Sequence, residues 1–428
     1  MRALVLTLIV FATLPFILRQ PHIGVYVWSW LGYMNPHRLA WATSIQYAEI
    51  VAAATLLAVI FTKESRKIPW TRETIVLTVF IIWMLITTFF AQIPDAAWFK
   101  WGKVWKVMLF IYITLMFIND PKRLQILVWV IVVSLGFYGF KGGIFTLQTG
   151  GSYLVLGPDG SFISTRGEIG TALNMTIPLM RYLQLSTPNR WIKHAMTISI
   201  GLTIFAVVGT SSRGAFLGLI AVLFFLFMKS RGKILLAIVI AASSFAAFNF
   251  MPAEWKERMH SIETYEEDAS AMGRLDAWEF AINVANRNPL VGGGFEMTAG
   301  RRAAHSIYFQ ILGEHGYVGL GLFLALGAFT WMSASWVKRK TKRHEEMRWA
   351  GDMAAMLQVS IVAFGVGGAF ISLAYFDLIY HFVAMVVILK VLTLNYLANP
   401  EKVKAVGQAR QEPGNGGRMK YGNVDIGP

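Results

Sequence analysis

The feature that leaves this chain least choice is the recurrence of apolar runs about 20 residues long, separated by short polar breaks, along almost all of its 428 residues. A run of that length crosses a hydrocarbon layer of about 30 Å only as a helix, because a strand edge or irregular backbone facing lipid leaves peptide groups without partners. With 55% hydrophobic and 15% charged residues, the chain falls in the polytopic membrane class and outside the soluble globular one. The expected fold is an all-α membrane protein with about twelve transmembrane helices. They cover residues 1–18, 41–62, 73–92, 101–118, 124–147, 168–186, 194–210, 214–228, 233–251, 306–337, 350–372 and 375–397. The first run has no small-residue cleavage site after it and reads as a retained helix. Residues 1–398 would then form one transmembrane domain, and residues 399–428, rich in Gly, Pro, Gln and Lys, a disordered cytoplasmic tail.

The formal charge of +15 raises the question of a nucleic-acid partner. The basic residues answer it, since they gather in short alternating loops at 63–67, 121–123, 190–193, 229–233 and 338–343. That is positive-inside topology, which puts these loops and both chain ends in the cytoplasm and names the membrane, not nucleic acid, as the partner. The absence of cysteine excludes disulfides, thiolate chemistry and thiolate metal sites.

Three outward segments remain: 19–40, 148–167 and 252–304. The last, between spans nine and ten, is longer than a connector needs. Within this loop region, residues 252–305, an amphipathic helix is expected at 273–285, with Leu275, Trp278, Ile282 and Ala285 on one stripe and Asn288-Pro289 and the glycine run 292–294 as its stop. It would lie on the membrane surface or cap a cavity.

The outward face collects cations against the charge trend: Arg166, Arg213, Arg274, Arg301, Arg302 and His305. Arg213 follows Thr210-Ser211-Ser212, whose hydroxyls and backbone N–H groups can join a guanidinium in holding phosphate oxygens; the plainer reading is a snorkelling arginine. Arg274 opens the surface helix, where a cation opposes the helix dipole unless an anion is shared there or Asp276 or the acidic run 263–268 pairs with it. His305 stands at the start of the long tenth helix. The positive helix end favours a neutral imidazole, open to a role as general base, as phosphate donor or as a plain helix cap.

Glu314, nine residues on, is too far along the helix to orient His305 and should pair with an arginine or pin a neighbouring helix, while His315 reads as structural. Lys100, Lys103 and Lys106, interleaved with Trp98, Trp101 and Trp105, offer interfacial anchoring or contact with an anionic head group. The glycine run reads as a turn more readily than as a phosphate cradle. No Asp-x-Asp pair, His-Glu-x-x-His or Walker loop occurs, so neither a metal site nor a cofactor is expected, and arginines would neutralise any phosphate charge.

These residues carry a family resemblance. "PHIGVYVWSWLGYMNPHRL", "GFYGFKGGIFTLQTGGSYLVLGPDGSF", "SSRGA", "GRLDAWEFAINVANRNPLVGGGF" and "HSIYFQILGEHGYVGL" together resemble the O-antigen ligase and polymerase superfamily, including the O-glycosylation ligases found beside exosortase systems. The resemblance implies a bacterial inner-membrane protein with a periplasmic loop region over its active site. It implies metal-free transfer of a glycan from undecaprenyl diphosphate to an acceptor, typically lipid A-core, and direct attack of the acceptor hydroxyl on the anomeric carbon would proceed with inversion. It links Arg213, Arg274 and His305 with donor binding or catalysis; the expected roles are diphosphate binding for Arg213 and Arg274 and catalysis for His305, and the outward cations add Arg166, Lys103, Arg301 and Arg302 as possible substrate-binding residues. The exosortase-linked ligases carry an acidic-Asn-Asn stretch where this chain has Ser164-Thr165-Arg166-Gly167-Glu168, which favours a lipopolysaccharide ligase. A polymerase, a protein O-glycosylation ligase and a lipid-linked glycan transporter are the competing functions.

Overall fold

The computed structural model describes residues 2–39, 45–229, 269–298 and 303–399, and among them every regular element is helical. In chain order these are α1 (Arg2–Arg19), α2 (Pro21–Met34), α3 (Pro36–Leu39), α4 (Tyr47–Phe61), α5 (Arg72–Phe89), α6 (Pro94–Phe117) and α7 (Pro121–Thr149). They continue with α8 (Arg166–Ser186), α9 (Arg190–Gly209), α10 (Arg213–Lys229), α11 (Ala269–Arg287), α12 (Ile307–Thr341), α13 (Arg348–Gly368) and α14 (Asp377–Ala398). Seven helices among the described residues, α1, α5, α7, α9, α12, α13 and α14, are long and apolar enough to cross a membrane. The chain is an all-α membrane protein. The expected ninth span, the acidic run 263–268, Arg301, Arg302 and the tail lie outside the described residues.

Local chemistry sets the helix starts. The Asp120 carboxylate accepts from the backbone N–H groups of Lys122 at 2.8 Å and Arg123 at 2.9 Å, capping α7 with Pro121 at its first position. Thr165 and Glu168 cap α8 reciprocally, so the carboxylate in the 164–168 stretch serves the helix start. α14 is buried along most of its length and forms the central post, with α13 beside it, whereas α1 lies at the periphery. α8, α10 and α13 approach one another closely because small residues face each other: a Cβ at Gly170 would lie 2.5 Å from that of Ala215, and one at Gly367 would lie 2.6 Å from the Thr171 hydroxyl.

Three expectations are corrected. Residues 19–40 are not an outward loop, since most of them form α2, which runs from one face of the bundle to the other. At its start His22 lies 4.0 Å from Glu64, and the Tyr26 hydroxyl donates to the Arg123 carbonyl at 3.0 Å, both at basic loops. At its end the Tyr138 hydroxyl donates to the Met34 carbonyl and Arg38 lies over the turn at Gly160. With 14 residues, α2 is about 21 Å long, shorter than the window that reveals a span. The added crossing also moves one chain end. α1 touches α3, and Thr7 meets the Tyr47 hydroxyl at 2.7 Å near the start of α4, while the other described end is tied to the basic loops by Tyr396 donating to Glu346 at 2.6 Å. Arg2 and Asn399 therefore lie at opposite faces, and the expectation that both ends share one side does not describe this packing.

The third correction concerns the span expected at 306–337. At 35 residues, α12 would be about 52 Å long if straight, far beyond a bilayer core. It is broken at Gly316, whose φ of 69° and ψ of −171° are not helical. The Tyr308 hydroxyl donates to the Gly365 carbonyl at 3.0 Å and the Phe323 ring lies 6.4 Å from that of Phe364, so residues on either side of the break meet the same turn of α13. A straight helix would hold positions 308 and 323 about 22 Å apart. The chain thus folds back at Gly316, and 307–315 is a short inner segment followed by a longer crossing segment from Tyr317.

Because the chain contains no cysteine, single cysteines report this topology cleanly. Arg2→Cys and Arg38→Cys should react with a membrane-impermeant maleimide from one side of the membrane and Lys67→Cys only from the other; Arg2→Cys labelling together with Lys67→Cys would refute the crossing by α2.

Candidate functional site

The loop between α13 and α14, residues 369–376, gathers the cations. A Cβ at Gly167, next to Arg166, would lie 2.7 Å from the Ile371 side chain and 3.6 Å from the Ser212 hydroxyl. One at Gly214, next to Arg213, would lie 2.6 Å from Phe370. The His305 N–H donates to the Ser372 hydroxyl at 2.9 Å. Three successive loop residues therefore touch the segments that carry Arg166, Arg213 and His305. Arg274 joins from α11. One turn beyond it on the same face, the Trp278 indole donates to the Ala304 carbonyl at 2.8 Å and stacks on Phe309 at 4.8 Å, which docks α11 beside His305.

Arg166 and Arg213 are the first residues of α8 and α10, and Ser212 accepts from the Ala215 N–H at 3.4 Å as a cap. Two guanidinium groups and the positive ends of two long helices thus share one neighbourhood, which is the electrostatic signature of an anion site. Arg166, Arg213, Arg274 and His305 are all half-buried. His305 adopts φ 46° and Ser211, two residues before Arg213, φ 48°. A left-handed non-glycine residue costs on the order of 1–3 kcal/mol, and such strain persists where the surroundings impose it.

The other candidates separate. Lys103 is exposed and lies over the Phe99 ring at 4.3 Å. Lys106 pairs with Glu49 at 3.1 Å. Lys100 is the one of the three that reaches inward, 2.8 Å from Glu296 and 6.0 Å from the Tyr375 ring. α11 is longer than expected, and its buried stripe is Ala277, Ala281, Val284 and Ala285, with Leu275 exposed. The correction is a rotation of the stripe, because small residues, not Leu275, permit the close approach to α12.

Glu314 is fully buried and pins the loop, accepting from the Tyr375 hydroxyl and from the Glu296 N–H at 3.1 Å; among the described residues no arginine pairs with it. His315, also buried, links Thr87 at 2.7 Å to the Tyr375 hydroxyl at 2.8 Å. Gln310 adds a third tie, accepting from the Ala374 N–H at 3.3 Å. The segment 307–315 and the loop 369–376 are therefore fastened along their whole length, with His305 at one end of the fastening. Sequence reading missed Ser372, Tyr375 and Gln310, which carry no motif and acquire meaning only through this contact. The glycine run is a turn: the Gly293 and Gly294 N–H groups donate to the Gly313 and Glu314 carbonyls at 2.7 and 2.9 Å.

Among the described residues no group of three or more metal-ligating His, Cys, Asp or Glu side chains occurs. The fold and this arrangement define a multi-pass, all-helical membrane protein in which the segments carrying Arg166, Arg213 and His305 meet around one loop. A family model described as O-Antigen ligase matches residues 198–324, which includes Arg213, Arg274 and His305, and a family of unknown function (DUF5935) matches residues 1–187. Over residues 198–324 that match supports membership of the O-antigen ligase and polymerase superfamily. No curated protein matches it significantly.

Tyr375→Phe removes the hydroxyl shared by Glu314 and His315, and leaves two buried polar groups each short of a partner. The expected cost is about 1–3 kcal/mol, read as a lowered Tm of the purified protein; an unchanged Tm would count against the fastening described above.

Proposed function

We propose that this protein transfers a glycan from undecaprenyl diphosphate to lipid A-core at the periplasmic face of a bacterial inner membrane. The observation that carries this reading is the convergence of Arg166 and Arg213, each at a helix start, with His305 around one loop. A diphosphate leaving group needs its developing charge held more than it needs a proton, and guanidinium groups with helix ends supply that without a metal. Arg213 and Arg274 hold the diphosphate, and Arg166 is a further contact for it or for a charged glycan. The His305 imidazole takes the proton of the acceptor hydroxyl as that oxygen bonds to the anomeric carbon. The bond from that carbon to the phosphate oxygen breaks with inversion, and the electron pair leaves on the lipid diphosphate.

The orientation rests on the basic loops at the opposite face, which positive-inside bias assigns to the cytoplasm. On that assignment the described end at Asn399 is cytoplasmic and Arg2 is periplasmic. A polymerase or a protein ligase would use the same cations and base with another acceptor. Incubation of purified protein with lipid-diphosphate glycan and lipid A-core, resolved on a gel, separates them by which acceptor becomes joined.

His305→Ala should abolish transfer, by about a hundredfold or more, with Tm retained; a transporter would keep moving its substrate. As a base, His305 makes activity fall as the medium is acidified, because protonation removes its lone pair; activity that vanishes as pH rises instead would make it a phosphate donor. EDTA should leave the rate unchanged, and loss restored by a divalent ion would overturn the metal-free mechanism.

A further inference from the structure

At the face opposite the candidate site, a cavity of about 870 Å³ opens among α5, α12, α13 and α14. Its lining contains four cations, Arg72, Lys338, Arg339 and Lys390, together with Trp331, Met332 and Trp336. Among the described residues the carboxylate at its base is Glu73, which is fully buried and already shared: Arg72 lies 3.0 Å from one oxygen and Lys390 3.3 Å from the other. Ser333 completes the cluster, donating to Glu73 and accepting from Lys390 at 3.2 Å and from Arg72 at 3.3 Å. Among the described residues, that carboxylate faces the four lining cations and also Lys229, whose ammonium donates to Gln358 at 2.9 Å and lies 5.5 Å over the Trp331 ring.

Lys390 lies eight residues before the end of α14, about 12 Å along the helix, so its ammonium sits below the level of the basic loops. An ionised group at that depth is costly unless other charges or polar groups meet it, and such groups mark binding sites by default. The wall beside it is apolar and open to the bilayer, with Met332 half exposed and the Arg72 side chain 41% exposed. A soluble anion would gain the cations but leave that wall unused, whereas an acyl chain would cover it.

We propose that this groove binds the head group of an anionic phospholipid, its phosphate held by Arg72, Lys338, Arg339 and Lys390 and its chains lying along Trp331, Met332 and Trp336. Basic clefts between helices at the cytoplasmic end of a bundle recognise such head groups through charge held in a partly dry site. Glu73 keeps Arg72 and Lys390 in place, and the exposed Lys338 and Arg339 at the rim set the preference for negative charge.

The test uses full-length protein stripped of lipid in neutral detergent, with bound lipid counted by native mass spectrometry. Phosphatidylglycerol should bind about tenfold more tightly than phosphatidylcholine, and inorganic phosphate should not displace it. The double variant Lys338→Gln/Arg339→Gln should erase most of that preference without changing transfer activity or the Tm of the stripped protein. The control Lys63→Gln/Lys67→Gln, on the same face but outside the groove, should keep it. Equal binding of the two lipids, an unchanged preference in the rim variant, or displacement by inorganic phosphate would each overturn the proposal.

Discussion

In hydrocarbon, a helix break is tolerated only where protein groups take up the peptide groups it strands. The break at Gly316 is met by the segment after α11 together with Trp83 of α5. The Gly293 and Gly294 N–H groups serve the Gly313 and Glu314 carbonyls, the Tyr317 N–H donates to the Pro289 carbonyl at 2.9 Å, and the Trp83 indole serves the His315 carbonyl at 3.0 Å. The approach requires glycine, because a Cβ at Gly292 would lie 2.5 Å from the Gly313 oxygen and one at Gly316 would lie 2.3 Å from that of Leu290. These bonds hold α11 over α12 and fix where 307–315 begins. The position of His305 follows from them.

Electrostatics explains why the site stays specific to one face. A guanidinium at a helix start is unfavourable for its own helix. Arg166 and Arg213 occupy such starts side by side, with the Gly167 backbone beside Ser212. The four non-glycine residues with positive φ among those described, Asn35, Ser211, Glu296 and His305, all lie in segments at this face: beside Arg38, beside Arg213, against Lys100 and at the site itself. At the other face, a buried carboxylate between two cations uses Arg72 and Lys390 structurally, yet leaves positive charge at the rim.

Much of this was legible in the sequence, for definite reasons. Runs such as 121–149 and 377–398 announce helices because lipid leaves no alternative, and their ends follow from visible chemistry such as Asp120-Pro121. The cations stood out because they violate the positive-inside trend. What stayed hidden depends on contact. α2 is too short and too rich in aromatic and small residues to register as a span, although its 14 residues cross between faces by packing against α4 and α7. The reversal at Gly316 is concealed by apolar residues on both sides, since hydropathy does not record direction. Ser372, Tyr375 and Gln310 are ordinary polar residues whose role exists only where 307–315 lies along 369–376.

That reversal also changes what the helix start beneath His305 can do. Were α12 a single through-running helix, its first N–H groups would open into water at the membrane surface, where screening reduces a helix end to a few tenths of a kcal/mol. Folded back, the segment begins against the last turn of α13, with Ile307 packed on Gly368 and Ser306 buried. In such a partly dry setting the same partial charge acts over a lower effective dielectric and weighs several times more. Both readings of His305 draw on this: a neutral imidazole is favoured beside a positive helix end, and an anion is favoured in front of it. The break therefore sets the field around His305 as well as the geometry that holds it.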